Sequence, residues 1–292
     1  MIDKTVAENL DLRLVEPLVR LAIKEDIGHG DLTSRAVLSP RAKARGIFVV
    51  KEDGIIAGLP LIELIYRAIS KSVKVNLLMG DGRSVLGGTP VAHVTGSAIA
   101  LLSGERIALN FLQRLSGVAT LAARFVEEVR GTGVEILDTR KTTPGWRYLE
   151  KYAVRAGGGI NHRMGLFDRV LIKDNHLRLA SYQPITEAVS KVRRKCPAGT
   201  VIEVEAENLA QVEEALASGA DIIMLDNMSP KLVAKAVKVI RSAAVVPQIE
   251  ASGGINLENA REIALTGVDW ISVGGLTHSA KALDIGFDIE KL

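Results

Sequence analysis

The sequence predicts an α/β protein in two parts, a small α+β domain followed by a parallel α/β barrel. Strand-like runs are grouped between Ala44 and Ile99 instead of alternating regularly with helices. After about residue 130 the rhythm changes, and short apolar strands recur with amphipathic helical segments between them. Charged residues and glycine pairs fall at the carboxyl ends of those later strands, the face on which barrel active sites lie.

Residues 8–25 carry apolar positions at helical spacing, from Leu10 to Ala22, and the Gly28 and Gly30 that follow end a helix. Asp31 or Thr33 can cap what comes next, and His29 reads as a turn histidine. The grouped strands are 47–50, 54–57, 73–78 and 91–94, separated by turns such as Gly80-Asp81-Gly82 and Gly87-Gly88-Thr89-Pro90, with a helix over 59–71. Residues 103–129 read as helix, which Gly117 is expected to break into two. Arg106 and Asn110 share one face of it, with Gln113 and Arg114 a turn on; that face is either solvated or, at a domain edge, part of a site. Six strands follow, at 134–138, 169–173, 201–205, 221–226, 247–251 and 270–273, with helices over 185–195, 209–218, 230–243 and 257–266. Six is fewer than a closed barrel needs, so the barrel is either incomplete or completed by a strand without a clear pattern.

A chain of 292 residues, 47% hydrophobic, can bury a full core in one large or two unequal domains. Its net charge of +3, without a basic tail and with only 4% aromatic residues, argues against nucleic-acid binding. Apolar runs are short and interrupted, so no membrane span is expected, and the acidic N-terminal stretch lacks a signal-peptide core. Cys196 alone excludes an internal disulfide and reads as incidental; the expectation is a cytoplasmic protein.

Positive charge is concentrated between Asp138 and His176, where eight Lys and Arg face four acids, a net +4 inside a chain of net +3. Such a segment is suited to hold an anion. Arg140 and Arg163 offer planar forks for carboxylates, and Lys141 and Lys173 offer point charges for phosphate or pyrophosphate. His162 can donate to the same ligand. Glu203 and Glu205 share strand parity and point to one side, expected to be the barrel interior. Asp226 ends the next strand and can face Glu205; together they would hold Mg²⁺ or ribose hydroxyls, or else pair with Lys141 and Lys173. Ser252-Gly253-Gly254 and Val273-Gly274-Gly275 follow the last two strands, the usual phosphate position of a barrel, although tight turns alone would also use glycine there. Without reference to any family, this site binds a phosphorylated sugar and a second, carboxylated anion.

Long motifs carry a more specific resemblance: EDIGHGDLT at 25–33, GERIALNF at 104–111, DTRKTTPG at 138–145, GGGINHR at 157–163, KDNH at 173–176 and EASGGI at 250–255. From about residue 8 to about residue 288 the chain resembles quinolinate phosphoribosyltransferase, the carboxylating nicotinate-nucleotide pyrophosphorylase family. The resemblance implies an N-terminal α+β sandwich domain followed by an incomplete parallel α/β barrel. We place the first at residues 1–115, joined by the C-terminal segment 280–292, and the second at 116–279. It implies transfer of phosphoribosyl from phosphoribosyl pyrophosphate to quinolinate, giving nicotinate mononucleotide, carbon dioxide and pyrophosphate, with Mg²⁺. Quinolinate would be bound by Arg140, His162, Arg163 and Lys173. Lys141 would lie between the substrates beside Thr139, and Glu205 and Asp226 would hold ribose hydroxyls and metal, Mg²⁺ being held mainly through substrate. Lys141, Glu205 and Asp226 would be the catalytic set, and the two glycine loops with Ser252 and Val273 would take the 5′-phosphate. A homodimer, or an assembly of dimers, would bring Arg106 to the partner subunit's site.

Two rival readings remain at this stage. One is a paralogous phosphoribosyltransferase with another acceptor, which the density of cations disfavours. The other is a non-catalytic sugar-phosphate sensor, which need not keep Lys141, Glu205 and Asp226 together.

Overall fold

A computed structural model describes residues 10–181 and 184–292. The first two residues of the helix expected over 8–25 lie outside them. Contacts group the chain into two compact units, Met1–Ala123 with Thr142–Gly158 and Leu276–Leu292, and Arg124–Lys141 with Gly159–Gly275.

In the first unit α1 (Leu12–Ile27) begins at Asp11, whose carboxylate accepts the Arg13 N–H, and stops at Gly28 with φ +53°. Helix α2 (Leu32–Val37) is capped by Asp31, which takes the Ser34 N–H at 2.9 Å. Then come β1 (Lys43–Val50), β2 (Gly54–Ile55), α3 (Leu59–Ile69), β3 (Lys74–Leu77), β4 (Ser84–Val85), β5 (Pro90–Ser97) and the long α4 (Ala98–Glu128). Strand β1 alternates buried and half-exposed positions, so one face meets the core. The sheet is antiparallel in the order β12-β1-β5-β3, its last strand β12 (Ile285–Lys291) arriving from the C-terminus. Phe48 of β1 packs on the half-buried Phe287 of β12 and edge-on against Tyr66 of α3, Phe48 and Tyr66 being fully buried.

Asp81 organises the start of α3. It accepts the Gly58 and Leu59 N–H groups at 2.7 and 3.0 Å and the Tyr152 hydroxyl at 2.5 Å. Burial raises the Asp81 pKa, and these donors offset only part of that cost. Tyr152 belongs to α5 (Arg147–Ala156), a helix not expected from the sequence. Next to it Glu150, with no exposed surface, takes the Arg114 guanidinium at 2.7 Å and the Thr143 N–H and hydroxyl at 2.9 Å. Arg114 therefore does not belong to a solvated face, whereas Arg106 and Asn110 are exposed.

Gly117 does not break α4, which is continuous from Ala98 to Glu128. A Cβ on Gly117 would overlap the Lys281 carbonyl, and one on Gly104 would come within 2.6 Å of the Tyr66 ring. Both glycines let another segment approach the helix closely. The unbroken helix, and the attachment of α5 through Asp81 to α3, explain why residues 116–123 and 142–158 group with the first unit by contacts.

The second unit is a six-stranded parallel sheet built from β6 (Glu135–Leu137), β7 (Val170–Ile172), β8 (Ile202–Ala206), β9 (Ile222–Asp226), β10 (Gln248–Ser252) and β11 (Trp270–Ser272). Their order is β6-β11-β10-β9-β8-β7, and no ladder joins β6 to β7 among the described residues, so the barrel is incomplete. Beside β6, Ile160 forms an isolated parallel bridge with Leu137. Helices α6 (Asp174–Leu179), α7 (Ile185–Lys195), α8 (Leu209–Ala217), α9 (Pro230–Arg241) and α10 (Ala260–Ala264) lie between these strands, and α11 (Gly275–His278) follows β11. Strand β8 is buried along its whole length, as expected of a parallel strand covered on both faces.

Acids at the amino ends of the strands knit the sheet. Asp221 takes the Ile202 N–H at 2.7 Å and pairs with Arg193; Asp269 takes the Ile249 N–H at 2.8 Å and pairs with Arg241. The same device thus appears two strands apart.

Replacing Gly117 by Ala separates the two readings of that glycine. Helix propensity alone would add about 1 kcal/mol of stability. The close approach predicts instead a loss of about 1–3 kcal/mol, read as a lower urea midpoint at unchanged slope.

Candidate active site at the carboxyl ends of the parallel strands

Register brings the strand ends into one row. Ser252 pairs with Asp226 on one side and Ser272 on the other, and Ser272 pairs with Leu137. The residues that follow, Asp138, Asn227, Gly253 and Val273, therefore emerge side by side. Glu205 stands one strand over, on β8 beside β9.

Just after β6, Asp138 is fully buried and accepts the His162 N–H at 2.9 Å and the Asn161 side-chain amide at 2.6 Å. It anchors the segment carrying His162 and Arg163 to the loop after β6 that carries Thr139, Arg140 and Lys141. The Thr139 hydroxyl accepts the Lys141 N–H at 3.0 Å, which shapes the turn. Arg163 is 8% exposed, and its guanidinium donates to the Arg169 carbonyl at 3.0 Å. Burial lowers its pKa, and the charge of Arg140 beside it lowers it further. Two guanidiniums that repel each other in a partly buried setting gain from an anion between them. Asp168 caps the same loop through the Met164 and Gly165 amides at 2.6 and 2.8 Å; burial works against its charge, but these amides hold its pKa below the usual range.

His162 is gripped from several sides. Its Nδ1 accepts the Arg163 N–H at 2.7 Å, and Nε2 lies 3.2 Å from Glu203 and 3.5 Å from Glu250, both carboxylates without exposed surface. Burial pulls the ring pKa down, but the hydrogen bonds to Glu203 and Glu250 outweigh it and carry it up to about 9. The Arg163 amide opposes that rise, because Nδ1 accepts an N–H only while it holds no proton. Burial in turn raises the Glu203 pKa, with the Glu250 charge adding to it.

The acidic side of the site is close by in the strand order. Lys173, which follows β7, donates to Glu205 at 2.5 Å, realising one of the ion pairs expected from the sequence. Glu205, Glu207 and Asp226 bring one carboxylate oxygen each to within 4.8 Å of one another, so Asp226 does face Glu205. Glu207 was not anticipated: it lies beyond the strand end, where an exposed acid looks ordinary. Asn227 sits at φ +52°, donates to Asp226 at 2.7 Å and gives its own N–H to the Ser252 carbonyl at 2.9 Å. Gly253 has φ +87°, and a Cβ there would overlap the Asn227 side chain, so this glycine is required twice over. After Gly254 the helix does not start at once; α10 begins at Ala260 behind an Asn256–Asn259 turn. Gly275 does open α11 directly, as expected.

Thr139, Arg140, Lys141, His162, Arg163, Lys173, Glu205, Asp226, Ser252, Gly253, Gly254, Val273, Gly274 and Gly275 thus all belong to one unit, at or beside its strand ends. Arg106 lies on α4 in the other.

Known proteins resemble this chain along most of its length. The N-terminal domain model of quinolinate phosphoribosyl transferase matches residues 31–116 and the C-terminal domain model residues 118–288. The chain is 46% identical to a probable carboxylating nicotinate-nucleotide pyrophosphorylase of Bacillus subtilis, over 91% of this chain and 90% of that one. It is 44% identical to the one of Synechocystis, over 94% and 92%. The crystal structure of NadC from Streptococcus pyogenes superposes with a TM-score of 0.92 at 36% identity, covering 97% of this chain and 99% of that one. The nicotinate-nucleotide pyrophosphorylase of Francisella tularensis gives 0.91 at 35% identity, over 99% and 100%.

The His162 ring makes stability depend on pH with a definite sign. Its folded pKa lies above the ordinary value of about 6.5, so its contribution is complete below that pH and is lost as pH rises through about 9. Urea titrations from neutral to alkaline pH should show wild type losing more stability than His162→Gln. Equal slopes in the two proteins would contradict the assignment.

Proposed function

The chain belongs to the quinolinate phosphoribosyltransferase family, and from that premise we propose how its residues divide the reaction. It transfers phosphoribosyl from phosphoribosyl pyrophosphate to quinolinate with decarboxylation, giving nicotinate mononucleotide, carbon dioxide and pyrophosphate, a step of de novo NAD biosynthesis. Arg140 and Arg163, with His162 and Lys173, take the two adjacent carboxylates of quinolinate. The observation that carries this division is the repulsion of Arg163 by Arg140, which a dianion between them would relieve. Lys173 is shared: in the free protein it neutralises Glu205, and a substrate carboxylate drawing it away leaves Glu205 charged toward the sugar.

Glu205 and Asp226 take the ribose hydroxyls, and Lys141, with Thr139, lies between the two substrates. Ser252-Gly253-Gly254 and Val273-Gly274-Gly275 take the 5′-phosphate. The left-handed Gly253 and Gly254 support this, since backbone N–H groups in such turns can face an anion. The pyridine nitrogen attacks the sugar carbon as the bond to pyrophosphate breaks, and the carboxylates stabilise the cationic carbon between the two events. The ring nitrogen is then positive. The carbon–carboxylate bond beside it breaks, the electron pair stays on the ring carbon, and that carbon takes up a proton. No protein nucleophile is required.

Mg²⁺ is the expected cofactor, held mainly through substrate. The oxygen-only set of Glu205, Glu207 and Asp226 fits such an ion, which when bound would offset the charge of the departing pyrophosphate. A homodimer, or an assembly of dimers, with Arg106 reaching the partner's site is part of the proposal, supported by the exposure of Arg106 on α4. So is a cytoplasmic location. No helix among the described residues is long and apolar enough to cross a membrane.

Release of labelled carbon dioxide from quinolinate should require phosphoribosyl pyrophosphate and Mg²⁺. Arg140→Ala should reduce this turnover by about 100-fold or more while phosphoribosyl pyrophosphate still binds. Equal loss of both would refute the division of roles. If Arg106 serves the neighbouring site, mixing Arg106→Ala with Lys141→Ala subunits restores activity; no recovery after verified subunit exchange would place Arg106 in its own chain's site.

A further inference from the structure

Two of the most deeply buried charges in the second unit have no part in the scheme above. Glu203 of β8 and Glu250 of β10 have no exposed surface. Apart from the His162 ring, neither Glu250 oxygen has a hydrogen-bond donor within reach among the described residues, and one Glu203 oxygen lacks one too. Leaving two carboxylates so poorly satisfied in a sheet interior is costly, and packed apolar residues would avoid the cost. Their shared neighbour is His162: Nε2 lies 3.2 Å from Glu203 and 3.5 Å from Glu250. Arg169 contributes the other nearby positive charge, 3.7 Å from Glu203. His162, Glu203 and Glu250 could also ring a metal ion. Nε2 already faces both carboxylates, however, and Arg169 balances them, so an ion-pair network accounts for the cluster without one.

The other nitrogen of the His162 ring gives the cluster its direction. Nδ1 accepts the Arg163 N–H at 2.7 Å, so the ring plane and the Arg163 backbone are set together. The His162 N–H is fixed by Asp138 and the Arg163 guanidinium by the Arg169 carbonyl. A ring held only at Nδ1 could turn about its side-chain bonds, whereas one held from both ends cannot.

We propose that Glu203 and Glu250 are positioning residues: as a pair they clamp the His162 ring, which sets the Arg163 backbone and so aims its guanidinium at the acceptor's carboxylates. This rests on the role given above to Arg163. Substrate specificity for the dicarboxylate then depends on two side chains that never touch it, contributed by two different β/α units.

The test uses the full-length enzyme and near-isosteric variants. Glu250→Gln is preferred, because it removes one charge facing Nε2 and keeps the side chain's shape; Glu203→Gln is the second variant, and melting temperatures check that each folds. Each should raise KM for quinolinate by about tenfold, the effect of losing a charge-assisted hydrogen bond, with KM for phosphoribosyl pyrophosphate unchanged. In an Arg163→Ala background the same substitution should add less than about twofold, because it acts through that residue. Quinolinate KM unchanged in folded Glu variants, or both KM values rising together, would overturn the positioning role while a raised KM in Arg163→Ala alone leaves the role of Arg163 standing. An unchanged quinolinate KM in Arg163→Ala would remove the premise itself.

Discussion

Parallel strands in register deliver their carboxyl ends to one edge of a sheet, and the whole site depends on that alignment. Asp226, Ser252, Ser272 and Leu137 lie in consecutive register positions of β9, β10, β11 and β6. The residues after them inherit the row, so groups from segments more than a hundred residues apart need no long reach to meet. Because the side-chain period of a strand is two, the register also fixes which acids turn inward. A slip by one residue on β8 would exchange Glu203 and Glu205 for Val204 and leave the cations without partners.

The two ends of the sheet use the same residue types for different work. At the amino ends Asp221 and Asp269 accept a neighbouring strand's N–H and an arginine, and are satisfied by the protein alone. At the carboxyl ends the charges are left with unmet demands: Arg163 is crowded by Arg140, and Lys173 is tied up by Glu205. Such tension is what a binding site retains and a structural ion pair does not. A ligand with two adjacent negative charges resolves the cationic half, and a sugar with hydroxyls resolves the acidic half.

Much of this was legible in the sequence. The six later strands fall within one or two residues of their expected ends, because short apolar runs bounded by glycine or charge leave few alternatives. Glu205, Asp226 and Lys173 could be placed by strand parity and position alone. Other features depend on tertiary packing that no local pattern carries. Gly117 looked like a helix break, yet it serves the approach of Lys281, a segment far away in sequence. Helix α5 has an apolar stripe interrupted by Glu150 and Lys151, whose burial depends on partners elsewhere. Glu250 read only as a strand end; its burial against His162 appears once β10 and the 161–163 loop are brought together.

The central claim is that cations from separate β/α units converge on a dicarboxylate. It is tested most directly by comparing calorimetric binding of quinolinate with that of nicotinate, which lacks the second carboxylate. The account predicts quinolinate to bind at least about 30-fold more tightly, the worth of one charge-assisted pair, with the difference shrinking as salt rises. Equal affinities at low salt would contradict it.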